Sequence, residues 1–277
     1  SENSHKYSRG KLISIAGSSG YTGACVLGVI AAGKTGAGII KVVVPESLHS
    51  IFETAITEAI TIPIYDNNSG YFSLENTEDI LEEVRWADAV LFGPGLAAGK
   101  KSAEWMAEIL KKIQQPLVLD ASGFLPLIYE KIRFNDLPSE TILTPHYAEF
   151  SRIFNMDVKK VWENPISAVH EIISILDSRV LILKGATNII VTSNGKLLLM
   201  NNGTPLLATA GTGDVLSGIL ASAIVQGLSV DDAAIFGTFL HGECAHQYEN
   251  LISISGLTAT DMLTMLPHAL ESLENVR

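Results

Sequence analysis

Ala210-Gly211-Thr212-Gly213-Asp214-Val215-Leu216-Ser217-Gly218 runs from a glycine-rich loop into a helix. Small residues let the backbone come close to whatever binds there. From Val215 onward the apolar side chains fall at Val215, Leu216, Ile219, Leu220, Ala223 and Ile224. That is the repeat of one buried helical stripe. The free N–H groups at the helix start carry partial positive charge and make a ready anion site. Asp214 places a single carboxylate on the first turn. One reading makes it a base that takes a proton from a hydroxyl while the N–H groups hold phosphoryl charge. The other makes it an ordinary helix-start acid that favours the dipole.

Upstream of this loop, short apolar strands alternate with helical patterns. The spacing predicts strands at 12–16, 39–44, 60–65, 89–92, 117–119, 141–143 and 180–183. It predicts helices at 22–32, at 102–113, from near His146, and at 165–176. Segments 188–192 and 196–200 flank Ser193-Asn194-Gly195 and read as a hairpin. The last third is helical, over 214–226, 230–248 and 258–273. Such alternation implies a mostly parallel sheet covered by helices on both faces, with an antiparallel strand at one edge. No repeat, low-complexity segment or long linker divides the chain, so 1–277 reads as a single domain. Ligands of such sheets sit beyond the carboxyl ends of the strands. The polar turns after the strands therefore gather into one expected site: residues 17–23, Gly93-Pro94-Gly95, Asp120, Thr144-Pro145-His146 and Lys184-Gly185.

The bulk composition narrows the class. Of 277 residues, 47% are hydrophobic and 18% charged, which suits a large core. A net charge of −11 disfavours general binding to nucleic acid or to anionic membranes. Cys25 and Cys244 both lie in apolar helical patterns and read as reduced core residues of a cytoplasmic protein. Segment 1–11 is polar and lacks the apolar core of a signal peptide, and no apolar run approaches membrane-spanning length.

Three patterns invite other assignments. Gly28-Val29-Ile30-Ala31-Ala32-Gly33-Lys34-Thr35 matches the phosphate-loop pattern letter for letter. That mechanism needs a strand before the loop and a helix after it; here the order is reversed, and Gly33 reads as a helix end. Gly17, Gly20 and Gly23 follow the first strand, and Glu46 ends the second, but the glycine spacing is not that of a dinucleotide fingerprint. His241, Glu243 and His246 suggest zinc, yet the two histidines are five apart and off a common helical face. They read as core or surface helix residues.

Seven pieces in one order resemble a known family. They are Ala16-Gly17-Ser18-Ser19-Gly20-Tyr21-Thr22-Gly23-Ala24, Thr35-Gly36-Ala37-Gly38, Gly93-Pro94-Gly95-Leu96, Leu119-Asp120-Ala121, Thr144-Pro145-His146 with Glu149-Phe150, Leu183-Lys184-Gly185-Ala186, and Gly211-Thr212-Gly213-Asp214-Val215-Leu216. Together, from about His5 to the C-terminus, they resemble the ADP-dependent NAD(P)H-hydrate dehydratases, a branch of the ribokinase-like superfamily. The resemblance implies an α/β fold, a single-domain three-layer sandwich with a mostly parallel central sheet. It implies repair of the S epimer of hydrated NADH or NADPH. The hydrate hydroxyl is phosphorylated by ADP, or by ATP in some relatives, with Mg²⁺ as companion. Phosphate then leaves, giving NAD(P)H, AMP and phosphate. It further implies a homotetramer and, because the chain starts at the dehydratase segment, a separate epimerase as functional partner.

Carried over residue by residue, the resemblance makes Asp214 the base and substrate contact. Gly211 and Gly213 line the anion hole, and Gly213 also contacts the AMP portion. Lys184, Gly185, Ala186, Thr187 and Asn188 frame the adenine nucleotide, while Ala37, Gly95 and His146 contact the hydrated dinucleotide. Some positions depart from the family. Ser122 stands where a second acid is usual, Tyr147-Ala148 replace a Pro-Gly pair, and Ala97-Ala98 follow Gly95-Leu96 where Gly-Leu-Gly is common. Two rivals share the anion loop: a small-molecule kinase acting on a vitamin-precursor alcohol, and a non-catalytic nucleotide-binding protein. A pure binder has little use for a carboxylate among phosphate oxygens.

Overall fold

Strands whose two faces are both apolar can only lie inside a layered structure, and that is where these lie. The computed structural model describes residues 9–96 and 99–274. The expectations for segment 1–8 and for Ala97 and Ala98 fall outside those residues. Nine strands form one sheet: β1 Lys11–Ile15, β2 Ile39–Pro45, β3 Ile60–Ile64, β4 Ala89–Phe92, β5 Leu117–Leu119, β6 Thr141–Leu143, β7 Val180–Leu183, β8 Asn188–Val191 and β9 Leu197–Met200. Their order is β3-β2-β1-β4-β5-β6-β7-β8-β9, parallel as far as β7. The hairpin β8–β9 closes one edge antiparallel, as its turn signal predicts. The helices are α1 Thr22–Thr35, α2 His49–Ala55, α3 Thr77–Val84, α4 Lys100–Leu110, α5 Leu125–Ile128, α6 Tyr147–Ile153, α7 Val158–Glu163, α8 Pro165–His170, α9 Ile173–Leu176, α10 Thr212–Val225, α11 Val230–Leu251 and α12 Ala259–Glu274.

Alternation along each strand divides the core. Leu12, Val42, Leu91, Val118 and Ile182 pack against α1, α10 and α11. Their neighbours Ile13, Val43, Val90 and Leu119 face α3, α4 and α5 on the opposite side, and Leu181 and Leu183 face the short helices α6 to α9. Helix α12 lies outside α1 and α11, where Met262, Leu266 and Ala269 meet Val215, Ile219 and Leu240. The sandwich therefore has its three expected layers plus one outer helix. Cys25 and Cys244 are free and buried. No helix among the described residues is long and apolar enough to cross a membrane.

Two local expectations change. The helix predicted over 165–176 is interrupted between His170 and Ile173. Isoleucines at 172 and 173 are stiff at χ1 and weaken helix there. Helix α1 also runs past Gly33 to Thr35, and Gly36 caps it at φ 112° with N–H bonds to the carbonyls of Ala32 and Gly33.

The phosphate-loop letters thus lie inside α1, and its glycines have another use. A Cβ on Gly218 of α10 would lie 2.0 Å from the Gly28 carbonyl oxygen. Helices α1 and α10 touch backbone to backbone, which holds the start of α10 firmly against the sheet. Gly218→Val is expected to destabilise the protein by about 3 kcal/mol or more, through overpacking at a contact that cannot open. Gly33→Ala should leave stability and activity intact, since a Cβ there meets only Ile40 Cδ1 at 3.8 Å. Thermal melts of the two variants make the comparison.

Candidate active site

The parallel strands end along one rim, and the turns after β5, β6 and β7 bring Asp120, His146 and Lys184 side by side. The Lys184 N–H donates to the Pro145 carbonyl at 2.9 Å, which ties two of these turns together. Helix α10 starts at the same rim beside α1. Its N-cap, Gly211, has φ 91°, and a Cβ there would lie 2.7 Å from Leu27 Cδ1 and 2.9 Å from Ala259 Cβ. Only glycine takes that turn without strain. Thr212, buried beside it, anchors the loop by its hydroxyl, which lies 2.8 Å from the Thr209 carbonyl and 2.9 Å from that of Leu207. Between the helix start and the strand ends lies a cavity of about 770 Å³. Its walls include Asp120, His146, Glu149, Trp162, Lys184 and Asp214.

Asp120 organises the polar end. It is almost fully buried, and its Oδ1 accepts from Thr144 Oγ1 at 2.7 Å and Lys184 Nζ at 3.0 Å. Its Oδ2 accepts from Ser217 Oγ at 2.6 Å. One carboxylate thus joins β5, β6, β7 and the second turn of α10. Gly93 permits this closeness, because a Cβ there would sit 1.9 Å from the Asp120 carbonyl oxygen. Burial by itself would push Lys184 down, but the carboxylates of Asp120, Glu149 and Asp214 outweigh it and hold the ammonium above its ordinary range. Lys184 is therefore a fixed positive charge. It also stands close to the anion loop: a Cβ on Gly213 would be 3.2 Å from its Nζ.

Asp214 differs from Asp120. It is half-buried, and among the described residues its carboxylate has no hydrogen bond or ion pair with the protein. Burial first, then the charge of Asp120, pushes it up to about 7; Lys184 opposes this and Glu149 adds to it. A carboxylate poised near neutrality and unengaged by protein donors is suited to take a proton from a ligand.

His146 caps α6. Its Nδ1 accepts from the N–H groups of Ala148 and Glu149 at 3.1 and 3.2 Å, so the neutral ring carries its proton on Nε2. Glu149 answers by accepting from the His146 N–H at 2.9 Å, completing a capping box. Burial raises Glu149 above the usual carboxylate range. Gly185 donates to Asn188 Oδ1 at 3.1 Å, and both residues line the cavity with Ala186. Thr187, between them, turns outward and bonds Asn201.

Most of the expected residues therefore meet: Gly211, Gly213, Asp214, His146, Lys184, Gly185, Ala186 and Asn188 share the cavity. Thr187 stands just outside its lining. Gly95 lies on the same rim, at the turn after β4, where its carbonyl accepts from Ser18 Oγ at 2.8 Å, but it does not line the cavity. Ala37 is not brought there. It precedes β2, at the amino ends of the strands, and lines a separate groove with Val29, Gly33 and Ile56. The rim collects the turns at the carboxyl ends of parallel strands, so a residue before a strand faces the other edge.

Sequence reading passes over other participants. His241, in sequence an ordinary helix residue, is buried against the cavity, and its Nε2 donates to the Thr212 carbonyl at 2.8 Å. Burial pushes it down to about 4, so it stays neutral and holds the loop without adding charge. Ser217 and Trp162 join the site as well; nothing in their spacing marks them, because their partners are remote in sequence. No cluster of three or more metal-ligating side chains occurs among the described residues, so the zinc pattern has no structural counterpart there.

The chain matches the NAD(P)H-hydrate dehydratase family over residues 12–268. It is 32% identical over 270 residues to the bifunctional NAD(P)H-hydrate repair enzyme Nnr of Moorella thermoacetica, covering 98% of this chain and 51% of that protein. The chain thus spans about half the length of the curated relatives it matches. Its fold is similar to that of the ADP/ATP-dependent NAD(P)H-hydrate dehydratase of Bacillus subtilis co-crystallised with ATP and Mg²⁺, with a TM-score of 0.81 at 24% identity, over 98% of this chain and 92% of that one. A ribokinase-like superfamily protein of Enterococcus faecalis is similar at a TM-score of 0.80 and 22% identity, over 98% of this chain and 90% of that one.

Proposed function

Since the chain belongs to the NAD(P)H-hydrate dehydratase family, we propose that it restores hydrated NADH or NADPH by nucleotide-dependent dehydration. The observation that carries this reading is Asp214: a carboxylate pushed up to about 7, without a donor among the described residues, on the first turn of a helix and beside a fixed ammonium. The hydrate hydroxyl loses its proton to Asp214 as its oxygen bonds to the terminal phosphorus of ADP or ATP. The bridging bond to the leaving nucleotide breaks at the same phosphorus. The N–H groups of the 211–213 loop and the Lys184 ammonium hold the charge spread over the phosphoryl oxygens. Phosphate then leaves the new ester with the C–O electron pair, driven by the lone pair of the ring nitrogen, and loss of a neighbouring C–H proton restores the double bond. ADP thereby becomes AMP and phosphate. The chemistry of the leaving step belongs to the substrate, so the protein chiefly positions it.

The acidic donor set fits a magnesium ion carried on nucleotide phosphates, since such ions need only one or two protein carboxylates. Glu149, whose Oε2 alone accepts the cap bond and whose other oxygen has no hydrogen bond among the described residues, would hold it together with the phosphates, leaving Asp214 to the hydroxyl. Bound there, it would neutralise phosphate charge and align the transferring group.

The direct experiment incubates the protein with (S)-NADH hydrate, Mg²⁺ and ADP or ATP while following the reduced-nicotinamide absorbance and free phosphate. Recovery of NADH with one phosphate per turnover is the expected result. A phosphorylated alcohol that accumulates would instead mark a kinase, and no consumption of hydrate would overturn the proposal. The pH dependence gives a second test. Asp214 must be ionised to act as base, so kcat/KM should fall about tenfold per unit below pH 7 and level off above it. A profile flat from pH 5 to 8, well below and above that value, would contradict the assignment.

A further inference from the structure

We propose that the indole of Trp162 is the stacking platform for the base of the adenine nucleotide, an inference that rests on the nucleotide-dependent reading above. Trp162 is 66% exposed although it is the largest apolar side chain on α7, whose core contact is made by Val161. An indole standing open at the wall of a cavity offers a large flat apolar face on which a flat ligand can stack. Its orientation is set. Tyr147 meets it edge to face, with ring centroids 4.8 Å apart and planes at 82°. Tyr147 is itself pinned beside the strand end, since a Cβ on Gly185 would lie 2.5 Å from its hydroxyl oxygen. A continuous path of neighbours therefore runs from Gly213 through Lys184, Gly185 and Tyr147 to Trp162.

The two ends of that path differ in chemistry. Phosphate is met by amide donors and the Lys184 ammonium at one end. At the other, Trp162 shares the cavity with Ala186, Pro205, Leu207 and Ala208, which offer apolar surface and little charge. A nucleotide has the same polarity, with phosphates at one end and a flat base at the other. The missing side chain at Gly185 lets Tyr147 come up against the strand end, since any Cβ there would collide with its hydroxyl.

The test titrates AMP and ribose 5-phosphate into the wild-type protein, Trp162→Ala and Trp162→Phe by calorimetry, and AMP also by tryptophan emission. The remaining tryptophans lie elsewhere: Trp105 is buried in the core, and Trp86 lies under Lys11 and Lys41 at the amino ends of the strands. AMP should quench the wild-type emission, and the change should vanish in Trp162→Phe while AMP affinity stays within about threefold, because phenylalanine also stacks. Trp162→Ala should weaken AMP about tenfold and leave ribose 5-phosphate unchanged. If wild type binds AMP and Trp162→Ala binds it equally well, stacking is refuted and the nucleotide reading stands. If the alanine variant loses both ligands alike, the indole only supports the pocket and the platform is refuted. If wild type binds no AMP, both the platform and the reading it rests on fall.

Discussion

Asp214→Asn is expected to fold, to keep its affinity for AMP, and to lose turnover by roughly a hundred- to ten-thousand-fold, the range of general-base catalysis. Asparagine has the size and shape of aspartate but cannot accept the hydroxyl proton. In the proposed mechanism the nucleotide is held by backbone N–H groups of the 211–213 loop and by Lys184, none of which the change touches. The same substitution has a predicted effect on stability, of the opposite sense. The folded protein raises Asp214 from 3.8 to about 7, so its ionised form is destabilised relative to the unfolded chain. That penalty is absent below pH 4, grows as pH rises through the unfolded value, and is complete above about 7. Asp214→Asn should therefore melt higher than wild type at pH 8, with the gain shrinking towards pH 4. A variant less active but more stable at alkaline pH is the signature of a strained functional group. Near-normal turnover in the asparagine variant would remove Asp214 from the chemistry, whatever the melt showed.

Asp120→Ala should be the most damaging single change at the site. It strands the Lys184 ammonium without its 3.0 Å partner and leaves the hydroxyls of Thr144 and Ser217 without their acceptor. Breaking a buried ion pair from one side costs about 3–5 kcal/mol, which for a chain of this length lowers Tm by roughly 10 °C. Activity should fall as well, because the start of α10 and the end of β7 are no longer held in register. Asp120→Asn separates charge from shape. It retains an acceptor for Lys184 or Thr144 but removes the negative charge that helps raise Asp214, so the acid limb of the rate profile should move to lower pH. An alanine variant that melts with wild type would show that Asp120 does not hold the rim together.

The contrast between these two acids marks the boundary of sequence reading. Both occur in short motifs beside apolar segments, and both belong to one expected site because turns at the ends of parallel strands share an edge. Nothing local distinguishes their roles. Asp120 is committed to Ser217, which lies 97 positions away, and to Lys184, 64 positions away; Asp214 has no hydrogen bond or ion pair among the described residues. The phosphate-loop letters in α1 show the converse. Their glycines look like a ligand cradle in one dimension and prove to be a contact between two helices, with Gly28 against Gly218.

By itself the sequence determined the parallel sheet with its antiparallel edge, the glycine turn into α10, and the side of the sheet where a ligand would lie. Those come from periodicity and turn chemistry, which act over a few residues. The folded structure decided which acid is tied to its neighbours and which one is pushed up to about 7. It also turned Ala37 to the opposite edge, brought His241 and Trp162 to the cavity, and fixed the partner of Lys184. These depend on burial and on distances between remote segments, and an electrostatic environment exists only once those segments have packed together.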